Sequence, residues 1–270
     1  MICETVTLHP FEGATLTTYC FDTLVQTPRR AVIVCPGGGY HDVSTREGEP
    51  VAAQFLAAGF AAFILRYTID EGAQNWAPLK QIALAIRHVR ENAAKYNVDP
   101  DHVYTLGFSA GGHLAASAGV LWDSPVLDEI AAGAPRDILR PTGMILSYPV
   151  ISAVVPTHQG SFRRLAGTEE FSLEASKPFS LDLHVSDTTP PAFLWHTFND
   201  ATVPVQNSLS FAEAMQRVGV PFELHIFPNG RHGLSLCNEQ TCTTHGSSLI
   251  EPHCECWVEL AVRWLRDMFA

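Results

Sequence analysis

The chain has 270 residues, of which 46% are hydrophobic and 17% charged, and its formal net charge is −11. That length suits one α/β domain spanning residues 1–270, and the apolar content is enough for a sizeable core and too high for a disordered chain. An acidic surface repels phosphate backbones and anionic bilayers, which excludes nucleic acid and membrane as expected partners and favours a neutral small molecule.

The first residues, Met1-Ile2-Cys3-Glu4-Thr5, lack the basic and apolar regions of a secretion signal, and runs such as Phe60 to Leu65 are too short to cross a bilayer. The expected location is therefore the cytoplasm. Seven cysteines is an odd count, and in that compartment they are expected as free thiols.

Short β-rich runs alternate with helical stretches. Thr15 to Phe21 reads as an early strand. Ala31 to Cys35 is a continuous apolar run, as a strand buried on both faces requires, and it ends in Pro36-Gly37-Gly38-Gly39. Glu49 to Ala58 reads as a helix stopped by Gly59, and Ala61 to Leu65 as the next strand. Leu79, Ile82, Ala83, Ile86 and Val89 recur at helical spacing, with Pro78 near the start and an end near Tyr96. His102 to Leu106 is a strand that runs into Gly107-Phe108-Ser109, and Ala110 to Val120 a helix of small residues. Strands follow at Gly143 to Tyr148, Ala192 to His196 and Phe222 to Phe227, with helices at Val205 to Val218 and Cys254 to Phe269. Such alternation predicts an α/β fold, a mostly parallel sheet flanked by helices, with its chemistry on loops beyond the carboxyl ends of the strands. The mixed segment Val155 to Pro191 interrupts the pattern and is expected to form a short cap-like insertion.

Gly107-Phe108-Ser109-Ala110-Gly111 matches G-x-S-x-G. A nucleophilic serine on a sharp strand-to-helix turn leaves no room for side chains two positions either side, so both are glycine. The hydroxyl stands exposed, and the Ala110 N–H at the helix start points to a developing oxyanion. A chance glycine-rich turn would not bring a strand before it and a helix after it. Pro36 to Tyr40 corresponds to the H-G-G-G loop that lies beside such an elbow. A phosphate loop is the competing interpretation, but this run lacks the third glycine of G-x-G-x-x-G and the Gly-Lys-Ser/Thr ending of a P-loop. A plain tight turn is the other.

On this fold an acid and then a histidine follow the serine on loops after late strands. Asp200, after the strand that ends at His196, and His232, in Asn229-Gly230-Arg231-His232-Gly233, fit that order. His232 would take the serine proton, and Asp200 would orient the imidazole and stabilise its charged form. Competitors are His196 and His225, both inside predicted strands and better suited to packing, His245, and Asp187, which precedes its strand. Tyr40, His41, Trp76 and His158 are candidates for a polar, sugar-stacking substrate pocket.

These motifs, with Gly111-Gly112-His113 and Asn199-Asp200-Ala201-Thr202-Val203-Pro204, resemble bacterial α/β-hydrolase esterases over nearly the whole chain. The group resembled most is that of acetylxylan-esterase-like and feruloyl-esterase-like enzymes, the sugar-ester hydrolases. The resemblance implies Ser109, Asp200 and His232 as a triad and the backbones of Gly38, Gly39 and Ala110 as an oxyanion hole. Pro36 stands where H-G-G-G has histidine, which leaves Gly39 with Tyr40 as an alternative pair of amides. It also implies a short-chain acetylesterase acting on acetylated carbohydrates, without cofactor. A serine peptidase or amidase would use the same triad, and a catalytically dead binding protein would usually have lost one member.

Cys237, Cys242, His245, His253, Cys254 and Cys256 suggest zinc only at first sight. Their spacing matches no pair of C-x2-C hooks, and Cys254 and Cys256 are two apart at a predicted helix start, so no metal is expected. Neither the natural acyl group and alcohol nor homo-oligomerisation is legible in the sequence.

Overall fold

A computed structural model describes residues 1–21, 27–243 and 248–269. Eight strands form one sheet: β1 (Ile2–Leu8), β2 (Phe11–Cys20), β3 (Arg29–Cys35), β4 (Ala61–Arg66), β5 (Val98–Phe108), β6 (Met144–Ser147), β7 (Ala192–Thr197) and β8 (Phe222–Phe227). Their order is β1-β2-β4-β3-β5-β6-β7-β8. β1, β2 and β4 pair antiparallel, and every pairing from β4 to β8 is parallel. The longer helices are α1 (Glu49–Ala57), α2 (Ala77–Glu91), α3 (Ser109–Val120), α4 (Gln159–Ala166), α5 (Gln206–Val218) and α6 (Trp257–Met268).

The continuous apolar runs are explained by helices on both faces. Val32, Val34, Ala62 and Ile64 pack with Phe55 of α1 and Trp257 and Leu265 of α6. Ala31, Ile33, Cys35, Phe63 and Leu65 face the opposite way, against Ile82 and Ile86 of α2 and Leu114 of α3. Successive side chains of a strand alternate faces, so a strand covered twice has no polar position to show.

Several expected boundaries shift, among them β2, which begins at Phe11 rather than Thr15, and α2, which ends at Glu91 rather than near Tyr96. β1 lay outside the predicted strands, because its exposure alternates as an edge strand's does and its residues show no apolar run. β5 is longer than the predicted His102 to Leu106, since Val98 already pairs with Arg29. α6 begins at Trp257 rather than Cys254, with Cys254 to Cys256 in the turn before it. All seven cysteines carry free thiols. Among the described residues no group of three His, Cys, Asp or Glu side chains is placed to hold a metal ion, and no helix is long and apolar enough to cross a membrane. His245 lies outside the described residues.

Segment 155–191 carries α4, the short helix Leu173–Ser176 and two single turns. It is rooted in the main core rather than hinged above it: Phe162, Leu165 and Phe179 are buried in the cluster that holds α2 and α3.

Candidate active site

The parallel strands end on one edge of the sheet, and their loops deliver the predicted residues there. β5 passes into α3 at Ser109, whose φ of 54° is left-handed, as a sharp elbow demands. A Cβ on Gly107 would lie 2.0 Å from the Gly111 carbonyl oxygen, and one on Gly111 would lie 2.1 Å from that of Cys35. Both contacts are with backbone, which cannot yield, so glycine is required at each position.

The His232 Nε2 lies 2.8 Å from Ser109 Oγ, and the His232 Nδ1 lies 2.6 Å from Asp200 Oδ2. The Thr202 and Val203 N–H groups donate to the other oxygen of Asp200, each at 2.9 Å. Burial alone would raise the Asp200 carboxyl. The hydrogen bonds of His196 and His232, the His232 charge and the Val203 N–H outweigh it and hold the carboxyl well below the usual carboxylate range. A fixed acceptor therefore faces Nδ1, which places the proton there and leaves Nε2 to accept from the serine.

The competitors are placed elsewhere. His196 is buried in β7 with its ring nitrogens 2.8 Å from Ser208 Oγ and 2.8 Å from the Val203 carbonyl, and its Nε2 lies 3.5 Å from Asp200. It packs beside the acid and supports it. His225 binds Glu223, and Asp187 is exposed.

The glycine loop lies against the elbow: a Cβ on Gly37 would meet Ser109 Cβ at 3.1 Å. The Gly37 N–H donates to Glu47, and the Gly38 carbonyl accepts from His41 and Asp42. Among the described residues the amides of Gly38, Gly39 and Tyr40 have no protein acceptor. Both predicted pairs of amides are thus free to donate, and Ala110 lies in the first turn of α3, whose N–H groups have no partner within the helix.

Residues 22–215 match the family model BD-FAE. The chain belongs to the BD-FAE family. The BD-FAE match takes in Ser109 and Asp200 and ends before His232. Endo-1,4-beta-xylanase B of Butyrivibrio fibrisolvens is 40% identical over 220 residues, which are 78% of this chain and 33% of that protein. An acetylxylan esterase of Xylanibacter ruminicola is 32% identical over 209 residues, 76% of this chain and 41% of that one. The chain thus spans a third to two-fifths of the length of these two relatives. A solved structure, an acetyl ester-xyloside bifunctional hydrolase from Caldicellulosiruptor lactoaceticus, is 39% identical with a TM-score of 0.80, covering 95% of this chain and 88% of that one. This BD-FAE chain has the α/β-hydrolase fold.

Of the four predicted pocket residues, the BD-FAE structure brings one onto the glycine loop. His158 is half-buried, holds Ser161 Oγ at 2.9 Å, and would touch a Cβ on Gly39 at 3.1 Å. Tyr40 is corrected: its side chain is buried, edge-on to Tyr67 and His113, so its ring has no face to offer a sugar. The Trp76 ring packs on Phe179 at 4.3 Å between centroids. His41 is exposed and bonded to Asp70.

His113, in the helix that follows Ser109, joins two of the loops around the site. Its Nδ1 lies 2.9 Å from the Tyr40 hydroxyl and its Nε2 2.8 Å from the Phe179 carbonyl, so it ties the glycine loop to segment 155–191. Burial, partly offset by the Phe179 bond, lowers its pKa to about 4. An unfolded histidine titrates near pH ~6.5, so as pH falls from there toward 4 the unfolded chain binds a proton that the native chain refuses. Stability is expected to decline across that window, by roughly 3 kcal/mol at most. Unfolding temperatures at pH 7 and pH 4.5 check this, and His113→Gln should flatten the difference. An equal loss in the variant would assign the acid lability to other groups.

Proposed function

We propose that this chain hydrolyses carboxylic esters by acyl transfer through Ser109. His232 acts as general base and then general acid, Asp200 fixes the imidazole, and the backbones of Gly38, Gly39 and Ala110 hold the oxyanion. The observation that carries this reading is the unbroken line Asp200–His232–Ser109 with contacts of 2.6 and 2.8 Å at the mouth of a strained elbow. Ser109 Oγ attacks the ester carbonyl as its proton passes to His232 Nε2. That proton then goes to the departing alkoxide, and water enters by the reverse route to release the acid.

For substrate we propose short acyl groups, acetyl foremost, on carbohydrate alcohols. The names of the relatives support it, since two of them act on acetyl esters. So does segment 155–191, which carries Arg163, Arg164, Glu169, Glu170, Glu174 and Lys177 instead of the broad apolar surface that a lipid requires.

The test compares kcat/KM for acetyl, butyryl and octanoyl esters of one phenol, followed by acetate release from acetylated xylo-oligosaccharides. Acetyl is expected to be preferred. Each methylene buried in an apolar acyl channel would add about 0.8 kcal/mol, so a long-chain enzyme would rise steeply toward octanoyl and overturn the acetyl assignment. Acetyl preference without acetate release from any acetylated sugar would remove the carbohydrate and keep the esterase.

A further inference from the structure

Glu47 is a buried carboxylate, 3% exposed, on the single turn Thr45–Glu47 between the glycine loop and α1. Among the described residues it makes no ion pair, and neutral donors occupy its oxygens. The Gly37 N–H donates to Oε2 at 2.8 Å, and the Tyr148 hydroxyl donates to Oε1 at 2.6 Å. Burying a charge without a cation is costly, and the core would gain as much from an apolar side chain.

What the carboxylate reaches explains its place. The Tyr148 hydroxyl accepts from the Ser235 N–H at 2.9 Å, and the Tyr148 ring stands edge-on to His232 at 5.1 Å between centroids. Burial, and then the Glu47 carboxylate, pushes the Tyr148 hydroxyl well above its ordinary pKa, so it stays a donor. Tyr148 holds a φ of 38°, a left-handed backbone that a tyrosine adopts only where its surroundings impose it. The neighbouring residue completes the bracket: Arg46 donates to the Gly233 carbonyl at 2.9 Å, and its own carbonyl accepts from Ser235 Oγ at 2.7 Å. One turn therefore holds both the loop that carries the free amides and the loop that carries His232.

We infer that Glu47 is a positioning residue, with Tyr148 as its relay, that keeps the Gly38–Tyr40 loop and the His232 imidazole in register about Ser109. The inference rests on the ester-hydrolase reading above. It places a demand on the transition state: a loosened loop still admits the ester but misaims donors at the oxyanion, so kcat suffers and KM does not.

The variants are Glu47→Ala, Glu47→Gln and Tyr148→Phe, measured with phenyl acetate beside wild type and Ser109→Ala. Glu47→Ala, which loses both acceptors, is expected to lower kcat about 100-fold with KM within about threefold. Glu47→Gln keeps one acceptor for Gly37, loses the one for Tyr148, and should fall about 10-fold. Tyr148→Phe keeps the ring against His232 and should match Glu47→Gln. Because both cut the same link, combining them should cost little more than either alone. Unchanged kcat in Glu47→Gln and Tyr148→Phe overturns the inference, as does a rise in KM alone or a loss that vanishes once activity is divided by the folded fraction. If Glu47→Ala does not fold, the two conservative variants decide. Wild type inert toward esters, or Ser109→Ala active, instead sinks the esterase reading itself.

Discussion

Ser109→Ala is expected to lower kcat by roughly 10⁴-fold or more, with the unfolding temperature little changed. The fold should persist because the hydroxyl's hydrogen bond is to His232, on the open side of the elbow. Alanine inherits the same φ of 54° and adds no atom, so the backbone strain is that of the wild type. The loss should be large because the imidazole then has no proton to take and no attacking oxygen to activate. His232→Ala should cost a comparable factor, since members of such a unit fail together rather than additively. The residual rate over water would come from the oxyanion donors and substrate binding. The measurement is steady-state hydrolysis of an aryl acetate by each purified variant, with circular dichroism to verify the fold. Near-wild-type turnover in Ser109→Ala would end the acyl-enzyme account.

The serine was legible because its elbow carries a local constraint, and the acid and the histidine because their loops follow late strands in the order this fold requires. Gly107 and Gly111 are forced by contacts with backbone near 2 Å, and that kind of constraint leaves a short spaced motif. The parallel strands were equally visible, since β3 and β4 are covered on both faces and carry only apolar residues inside their terminal arginines. Glu47 and Arg46 were not legible. Ser44-Thr45-Arg46-Glu47-Gly48 reads as any polar surface turn, and what matters about it is contact with Tyr148 and Gly233, about 100 and 190 residues away. A signal did exist at Tyr40, where an aromatic directly follows three glycines. The sequence alone suggests a pocket wall there, whereas the Tyr40 hydroxyl satisfies a buried histidine four residues beyond the nucleophile. Pairings of that kind depend on which loops converge, and a single sequence encodes loop convergence only through the whole fold.

Asp200→Asn is expected to lower kcat by roughly 10⁴-fold while leaving the geometry in place, and the structure says which way the amide must turn. In the wild type the Thr202 and Val203 N–H groups both donate to Oδ1, at 2.9 Å each. An asparagine must present its carbonyl oxygen to those two donors, which puts its NH₂ opposite His232 Nδ1. The amide then donates where the carboxylate accepted. Nδ1 becomes an acceptor, the ring proton moves to Nε2, and Nε2 now offers a hydrogen to Ser109 in place of a lone pair. The base is lost without any atom moving far. The wild-type pH profile is linked to the same residue. Because its partners hold the Asp200 carboxyl well below the usual range, it stays ionised throughout an assay from pH 5 to about 8, and the fall in kcat/KM on acidification belongs to one imidazole proton. Because the imidazole must be neutral to accept the serine proton, activity is expected to fall on acidification with one proton involved. Asp200→Glu should restore part of the rate, because a carboxylate can again accept from Nδ1, whereas Asp187→Asn, at an exposed carboxylate, should change nothing. An Asp200→Asn protein within tenfold of wild type, or a wild-type profile flat from pH 5 to about 8 with chemistry limiting, would remove this acid–histidine pair from the mechanism.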